Sequence, residues 1–132
     1  MEEGAKPTIL IAEDEEVELE VLTSEFEKAG FNVSVARDGQ EALDMAVSEE
    51  SDIILLDILM PEMDGWEVMK KIRGEGEWGK DVPIIILSNT DVDTDEKQQQ
   101  VAEDEPAYFL VKTDFTIDEV VTKAKEVLEQ EG

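Results

Sequence analysis

Five short apolar segments, separated by polar stretches with helical patterns, constrain the fold of this chain more than any other feature. We predict strands at TILIA (8–12), FNVSVA (31–36), DIILLD (52–57), VPIIILS (82–88) and AYFLVK (107–112). The run Ile53-Ile54-Leu55-Leu56 is uninterrupted, which is typical of a strand buried on both faces. Strands that alternate with helices favour a parallel sheet with crossover helices. The sequence therefore predicts one α/β domain with a doubly wound, five-stranded parallel sheet.

Helical patterns with capping residues separate these strands. After the first strand, apolar residues recur at helical spacing up to a glycine that can cap the helix: Val17, Val21, Leu22, Phe26 and Gly30. Asp38 and Glu41 form a capping-box-like start for a second helix, which we expect to reach about Val47. Thr116 and Glu119 form an S/T-x-x-E capping box for the last helix. The apolar face of that helix consists of Ile117, Val120, Val121, Ala124 and Leu128.

The middle of the chain supplies two further predicted helices and a loop. Asp64 can cap a helix that begins near Trp66 and ends at about Arg73. GEGEWGKD (74–81) is predicted to be a loop, and DVDTDEKQQQVAED (91–104) a short polar helix. Together with the other three helices this gives five strand–helix units and leaves no segment for a second domain.

The charge of the chain limits its partners. Thirty-six acidic residues against 11 basic ones give a net charge of −25, so we expect neither nucleic-acid binding nor attachment to anionic membranes. Solubility, adaptation to high salt and a designed surface are three explanations of this acidity that stay open. Without cysteine or histidine, any metal would be held by oxygen ligands, as Mg²⁺, Ca²⁺ and Mn²⁺ are.

Nothing in the sequence predicts export or membrane insertion. The N-terminal MEEGAKP lacks the basic and apolar regions of a signal peptide. No apolar run approaches the length that crosses a bilayer. We therefore expect a cytoplasmic protein.

Polar residues follow or end four of the five predicted strands. Glu13 and Asp14 follow the first strand, Asp57 ends the third, Ser88 ends the fourth and Lys112 ends the fifth. In a doubly wound parallel sheet, ligands bind beyond the carboxyl ends of the strands, where the strand order reverses. We therefore expect three carboxylates, one hydroxyl and one ammonium to converge on that edge.

Phosphoryl transfer to a carboxylate is the chemistry that fits this set. Three adjacent carboxylates repel one another unless a cation lies among them, and Mg²⁺, or else Mn²⁺, is the hard ion that such ligands favour. Asp57 would be both ligand and nucleophile and would form an aspartyl-phosphate. Lys112 would neutralise charge on the phosphoryl oxygens, and Ser88 would hydrogen-bond one of them.

The segments ILIAEDEE, ILLDILMPEMDGWEV, PIIILSN and FLVKTDFTIDE carry a family resemblance. Over about residues 7–130 the chain resembles the receiver domain of two-component response regulators, in the single-domain form of chemotaxis regulators. The resemblance implies a flavodoxin-like fold with strand order 2-1-3-4-5. It also implies that Asp57 is the phosphoacceptor, Asp14 a direct Mg²⁺ ligand and Glu13 a ligand through water, while Leu59 offers its backbone carbonyl.

The same resemblance implies a signalling role. Ser88 would be the switch hydroxyl, and Phe109 either a switch aromatic or an ordinary core residue. A sensor histidine kinase or histidine phosphotransfer protein would phosphorylate the domain. Output would pass to a protein target through the face formed by the predicted helix 91–104, the fifth strand and the last helix. The domain would catalyse only its own phosphorylation and dephosphorylation, so we do not expect an enzyme with an external substrate.

The chain departs from the family pattern at three positions, and two other functions stay open beside the favoured one. Thr113 replaces the proline that often follows the lysine, Pro106 stands in a usually Gly-Ala-rich turn, and Asn89 replaces a common alanine. A receiver-fold scaffold that works without phosphorylation, natural or designed, is one alternative. An aspartyl-nucleophile phosphohydrolase resembling the haloacid dehalogenases is the other, but those enzymes place a second acid where this chain has Leu59.

Overall fold

The computed structural model describes residues 6–57, 65–88, 107–112 and 115–131, and the structural statements below concern those ranges. Its elements, in chain order, are β1 (Thr8–Ala12), α1 (Glu16–Lys28), β2 (Asn32–Ala36), α2 (Gly39–Glu49), β3 (Ile53–Asp57), α3 (Gly65–Arg73), α4 (Gly76–Asp81), β4 (Ile84–Ser88), β5 (Ala107–Val111) and α5 (Ile117–Glu131). The predicted helix 91–104, the predicted cap Asp64 and the residues Leu59, Asn89, Pro106 and Thr113 lie outside the described ranges.

The five strands form one parallel sheet in the order β2-β1-β3-β4-β5, so the predicted fold class is confirmed. Ala12 lies opposite Ala36 on one side and Leu56 on the other. Ser88 lies opposite Val111. Because all five strands point the same way in register, their carboxyl ends share one edge of the sheet, with β1 and β3 adjacent.

Two hydrophobic cores, one on each face of the sheet, hold the layers together. Alternate residues of a strand enter opposite cores, as the pleat requires. Ile54 and Leu56 pack under α2 and α3, whereas Ile53 and Leu55 pack with α1 and α5. Every residue of β3 and β4 is buried, which is the reason their sequences are nearly continuous apolar runs. Each fully buried Ile or Leu contributes about 1.5–3 kcal/mol of transfer free energy.

Helices α2 and α5 begin at the predicted capping residues. The carboxylate of Asp38 accepts a hydrogen bond of 2.8 Å from the backbone N–H of Glu41. At the start of α5, the Thr116 N–H donates to Oε1 of Glu119 (2.9 Å), and the Glu119 N–H donates to Oγ1 of Thr116 (3.2 Å). Helix α5 buries Val127 as well as the predicted positions 120, 121 and 124. Among the described residues, no helix is both long and apolar enough to cross a membrane.

The apolar face of α1 differs from the predicted one. Leu19, Leu22 and Phe26 are buried, whereas Val17 is 75% exposed and Val21 44% exposed. Positions 19, 22 and 26 lie on one side of the helix. Val17 and Val21, each two positions from Leu19, lie on another side. The helical repeat thus predicted the helix, but Val17 and Val21 lie outside its buried face. The predicted helix end is confirmed, since Gly30 follows the last turn with φ +100°.

Residues 74–81, predicted to be a loop, contain the helix Gly76–Asp81. Its last turn is held from outside, because the guanidinium of Arg73 donates hydrogen bonds to the carbonyl oxygens of Gly79 (2.9 Å) and Val82 (2.6 Å). Hydrogen bonds from a side chain outside the helix do not appear in the pattern of residues 74–81, which is why the glycine-rich sequence indicated a loop.

A hydrogen bond and a close backbone approach fix α4 against the rest of the domain. The indole Nε1 of Trp78 donates to the backbone oxygen of Ser51 at 3.0 Å. A Cβ atom at Gly79 would lie 2.0 Å from the backbone oxygen of Ile72. Glycine at position 79 is therefore what allows α4 to pack directly against the end of α3.

Candidate functional site

The carboxyl ends of β1 and β3 bring three carboxylates together, as predicted. Glu13 follows the last residue of β1, and its N–H donates to the Ala36 oxygen at 3.0 Å, which extends the contact of β1 with β2. Asp57 is the last residue of β3. Glu13, Asp14 and Asp57 each place one carboxylate oxygen so that the three atoms lie within 4.8 Å of one another.

Burial divides this carboxylate group into an inner pair and an outer member. The side chain of Glu13 is only 1% exposed and Asp57 is buried, whereas Asp14 is exposed. Burial, together with the hydrogen bond and the charge of Asp57, raises the pKa of Glu13 to about 8. The backbone N–H of Glu15, which donates to Oε1 of Glu13 at 3.1 Å, opposes that rise. Without a cation, the carboxyl group of Glu13 therefore holds its proton to a higher pH than an ordinary glutamate does.

Lys112 supplies the positive charge that the sequence assigned to the end of the fifth strand. Its Nζ lies 3.1 Å from Oε2 of Glu13 and 3.3 Å from Oδ2 of Asp57. Burial alone would lower the pKa of Lys112, but its ion pairs, with Glu18 first, outweigh that effect and raise the pKa above its ordinary value. Lys112 is therefore a fixed cation next to the predicted phosphoacceptor.

Glu18 is a member of this network that the sequence analysis missed. Its Oε1 lies 2.7 Å from the Lys112 Nζ, which is shorter than the contacts of Lys112 with Glu13 and Asp57. In the sequence, Glu18 is one of several glutamates at the start of α1 and has no distinguishing neighbour. Only its packing beside the end of β5 identifies it.

The two predicted switch residues lie on neighbouring strands. Ser88 is buried at the end of β4, opposite Val111 in β5. Phe109 is partly buried in the core under α3, where its ring stacks on Trp66 with the ring centres 6.0 Å apart and the planes at 10°. Tyr108 packs in the opposite core, as the pleat predicts. Phe109 is thus part of the core, and a switching role for it stays a prediction.

The donor atoms fit the cation that the sequence predicts. Glu13, Asp14 and Asp57 offer only carboxylate oxygens, which are hard ligands and match the preference of Mg²⁺. A divalent cation among them would also relieve the repulsion between the inner pair. The predicted fourth ligand, the Leu59 carbonyl, lies outside the described residues.

Comparison with known proteins identifies the family of this chain. Residues 9–125 match the family model described as "Response regulator receiver domain". The response regulator MprA of Mycobacterium tuberculosis is 40% identical over 83 residues, which cover 63% of this chain and 35% of that protein. The chain thus spans about a third of the curated relative, so the activity of that whole protein does not transfer with the match.

Solved structures show the same fold. The chemotaxis protein CheY4 of Vibrio cholerae superposes with a TM-score of 0.82 at 28% identity, covering 93% of this chain and 99% of that one. The receiver domain of the sensor histidine kinase PA1611 of Pseudomonas aeruginosa has a TM-score of 0.81 at 28% identity, covering 95% and 99%. The PA1611 structure has a magnesium ion coordinated in its active site cleft.

Proposed function

This chain belongs to the response regulator receiver domain family, and from that premise we propose that it is a phosphorylation-controlled signalling switch with Asp57 as its phosphoacceptor. The observation that supports the proposal best is the position of Asp57, which ends β3 beside Glu13 and within 3.3 Å of the Lys112 Nζ. A buried strand-end carboxylate with a cation at that distance has the surroundings that an aspartyl nucleophile needs.

In the proposed reaction, a carboxylate oxygen of Asp57 attacks the phosphorus of a phosphodonor. The new O–P bond forms as the bond from phosphorus to the donor's leaving atom breaks, and the leaving group takes the electron pair of that bond. Lys112 neutralises charge on the transferred oxygens, and Ser88 donates a hydrogen bond to one of them. Glu13, Asp14 and Asp57 would hold Mg²⁺, or Mn²⁺ in its place, and the ion would supply further charge neutralisation. Leu59 would add its backbone carbonyl.

We also propose the partners that such a switch requires. A sensor histidine kinase or a histidine phosphotransfer protein donates the phosphoryl group in the cytoplasm. Ser88 and Phe109 then shift together and alter the surface around β5 and α5, together with residues 91–104, which a downstream protein target reads. Phosphorylation and dephosphorylation of Asp57 itself are the only chemistry assigned to the domain.

Intact mass spectrometry with acetyl phosphate and Mg²⁺ tests the proposal. We expect the wild type to gain one phosphoryl group, and to gain none in EDTA or as Asp57→Asn. Asp81→Asn is the matched control, because it makes the same chemical change at an exposed residue at the end of α4. Equal modification of wild type and Asp57→Asn would place the phosphoryl group on another residue and contradict the proposal. No modification of the wild type would also contradict it and would favour a scaffold.

Fluorescence of Trp66 tests the conformational part separately. Trp66 stacks on Phe109, so a shift of that ring should change the Trp66 emission, and Trp78→Phe removes the second indole from the signal. We expect beryllofluoride with Mg²⁺ to change the emission of Trp78→Phe. If Trp78→Phe gains a phosphoryl group from acetyl phosphate but its emission stays unchanged, Phe109 is an ordinary core residue.

A further inference from the structure

We propose that Glu18 is a positioning residue that holds the Lys112 ammonium toward α1 and thereby slows phosphoryl transfer to Asp57. The inference rests on the proposed function, because it concerns the same reaction. It states that the contact of Glu18 with Lys112 limits the rate of that reaction, although Glu18 is not one of the three clustered carboxylates Glu13, Asp14 and Asp57.

The three N–H donors of the Lys112 ammonium all face carboxylates. An ammonium has three N–H donors, and three carboxylates surround this one: Glu18 at 2.7 Å, Glu13 at 3.1 Å and Asp57 at 3.3 Å. The side chain of Lys112 is 13% exposed, which leaves little room for water. A phosphoryl oxygen on Asp57 therefore gains an N–H of Lys112 only if one of the three carboxylates gives it up.

The three carboxylates do not compete equally. Glu13 and Asp57 belong to the oxygen cluster that could hold a cation, and Glu18 is outside that cluster among the described residues. A divalent cation would draw electron density from Glu13 and Asp57 and weaken their hold on Lys112. Glu18 would keep its full charge and its short contact. It is therefore the partner that restrains Lys112 when the phosphodonor arrives.

The surroundings of the Glu18–Lys112 pair strengthen it. Both residues line an open groove of about 260 Å³ between α1 and α5, where Val21, Phe115 and Val120 form apolar walls. Apolar walls lower the effective dielectric constant around a charge pair, so its attraction exceeds that of a pair in bulk water. The Glu18 carboxylate also repels an anionic phosphodonor that enters beside Lys112, and this effect again slows the reaction.

The experiment compares Glu18→Gln with Glu20→Gln. Both variants remove one negative charge from α1, but Glu20 is exposed and lines a different groove, which contains Arg37. The first measurement is the initial rate of phosphorylation against acetyl phosphate concentration, with Mg²⁺ saturating. We expect Glu18→Gln to be roughly threefold to tenfold faster than wild type, the size of one hydrogen bond, and Glu20→Gln to match wild type.

The second measurement does not involve phosphorylation. The mobility of the Lys112 ammonium, from ¹⁵N relaxation of its Nζ in metal-free protein, should rise in Glu18→Gln and stay unchanged in Glu20→Gln. Glu18→Asp keeps the charge but shortens the reach, so a positioning role predicts increased Lys112 mobility and faster phosphorylation there too. An effect of charge alone predicts wild-type behaviour for Glu18→Asp.

Each outcome separates this inference from the proposed function. Unchanged Lys112 mobility in Glu18→Gln overturns the inference, whatever the phosphorylation rates are. Greater mobility with a rate equal to that of Glu20→Gln also overturns it, while the wild type still gains its phosphoryl group and the proposed function stands. A wild type that gains no phosphoryl group overturns the proposed function, and the assignment of Glu18 to that reaction falls with it.

Discussion

Two of the ion pairs made by helix α1 involve glutamates only two residues apart, Glu16 and Glu18, and differ in almost every physical respect. Glu16 pairs with Arg37 on the surface, and the two side chains are 58% and 53% exposed. Glu18 pairs with Lys112 at the carboxyl edge of the sheet, and those side chains are 26% and 13% exposed. Glu13 and Asp57 extend the second pair into a network, whereas Glu16 and Arg37 lie in solvent.

The comparison teaches that the environment, and not the residue types, determines what a charge pair does. Water and salt screen an exposed pair, so it contributes between zero and about 1 kcal/mol to stability. Around Lys112, water is largely excluded and three carboxylates depend on one cation. Removal of the Lys112 ammonium would leave buried carboxylates without a compensating charge. The change would therefore alter both the proposed phosphoryl transfer and the protonation of these carboxylates.

Replacement of Lys112 or of Arg37 should reveal the largest difference between the two ion pairs. Lys112→Met should lower the rate of phosphorylation by acetyl phosphate about 100-fold, because the charge that developing phosphoryl oxygens meet is lost. Arg37→Met removes an equal charge and should change that rate less than about twofold. Stopped-flow or quenched mass measurements give both rates. Similar losses in the two variants would mean that net charge, and not the position of Lys112, controls the reaction.

The pH dependence of stability without metal should sharpen the contrast. The pKa of Glu13 is raised to about 8 in the folded protein from an ordinary value of 4.5, so the folded state binds this proton more tightly than the unfolded state. The resulting stability is fully present below pH 4.5 and is lost as the pH rises through 8, by at most about 1.4 kcal/mol per pH unit. Urea unfolding in EDTA between pH 5 and 8 measures this slope.

Two variants identify the source of that slope. Glu13→Gln should remove most of it, because the amide does not titrate. Glu16→Gln should leave it intact, because Arg37 lowers the pKa of Glu16 and keeps that carboxylate charged over the same range. A slope that persists in Glu13→Gln would place the titrating proton elsewhere.

Salt should have the smallest effect and act on the exposed pair. A double-mutant cycle of Glu16→Gln and Arg37→Gln should give only a weak coupling at low ionic strength, because both side chains are exposed to solvent. In 1 M NaCl the coupling should approach zero, because the screening length falls to about 3 Å. Thermal unfolding of the four proteins gives the coupling. A larger coupling that resists salt would show that this pair is shielded from solvent.

Most of the fold could be predicted from the sequence because its signals are local. Continuous apolar runs indicated β3 and β4, and the reciprocal hydrogen bonds of Thr116 and Glu119 appear in the sequence as a four-residue pattern. The site was predictable for a topological reason. Parallel strands bring their ends to one edge, so Asp57, which ends β3, and Lys112, which follows β5, had to meet.

The features that the sequence did not indicate depend on contacts between distant segments. Glu18 differs from its neighbouring glutamates only because β5 ends beside it. Helix α4 forms in a glycine-rich stretch because Arg73, outside it, donates to its Gly79 carbonyl and its own Trp78 donates to Ser51. Val17 and Val21 fit a helical repeat, but the sheet lies against the side of α1 that carries Leu19. In each case a pattern of one segment was overruled by the position of another.

The tight packing at Gly79 determines which substitutions this chain can tolerate. A side chain there would collide with the backbone of Ile72. Helix α4 contacts Ser51, before β3 begins, whereas the proposed phosphoacceptor Asp57 ends that strand. In a saturation library scored for signalling, position 79 should therefore tolerate substitution as poorly as Asp57 does. The two sets of variants would nevertheless fail for different reasons. Variants at position 79 would not fold, whereas variants at position 57 would fold but would not signal.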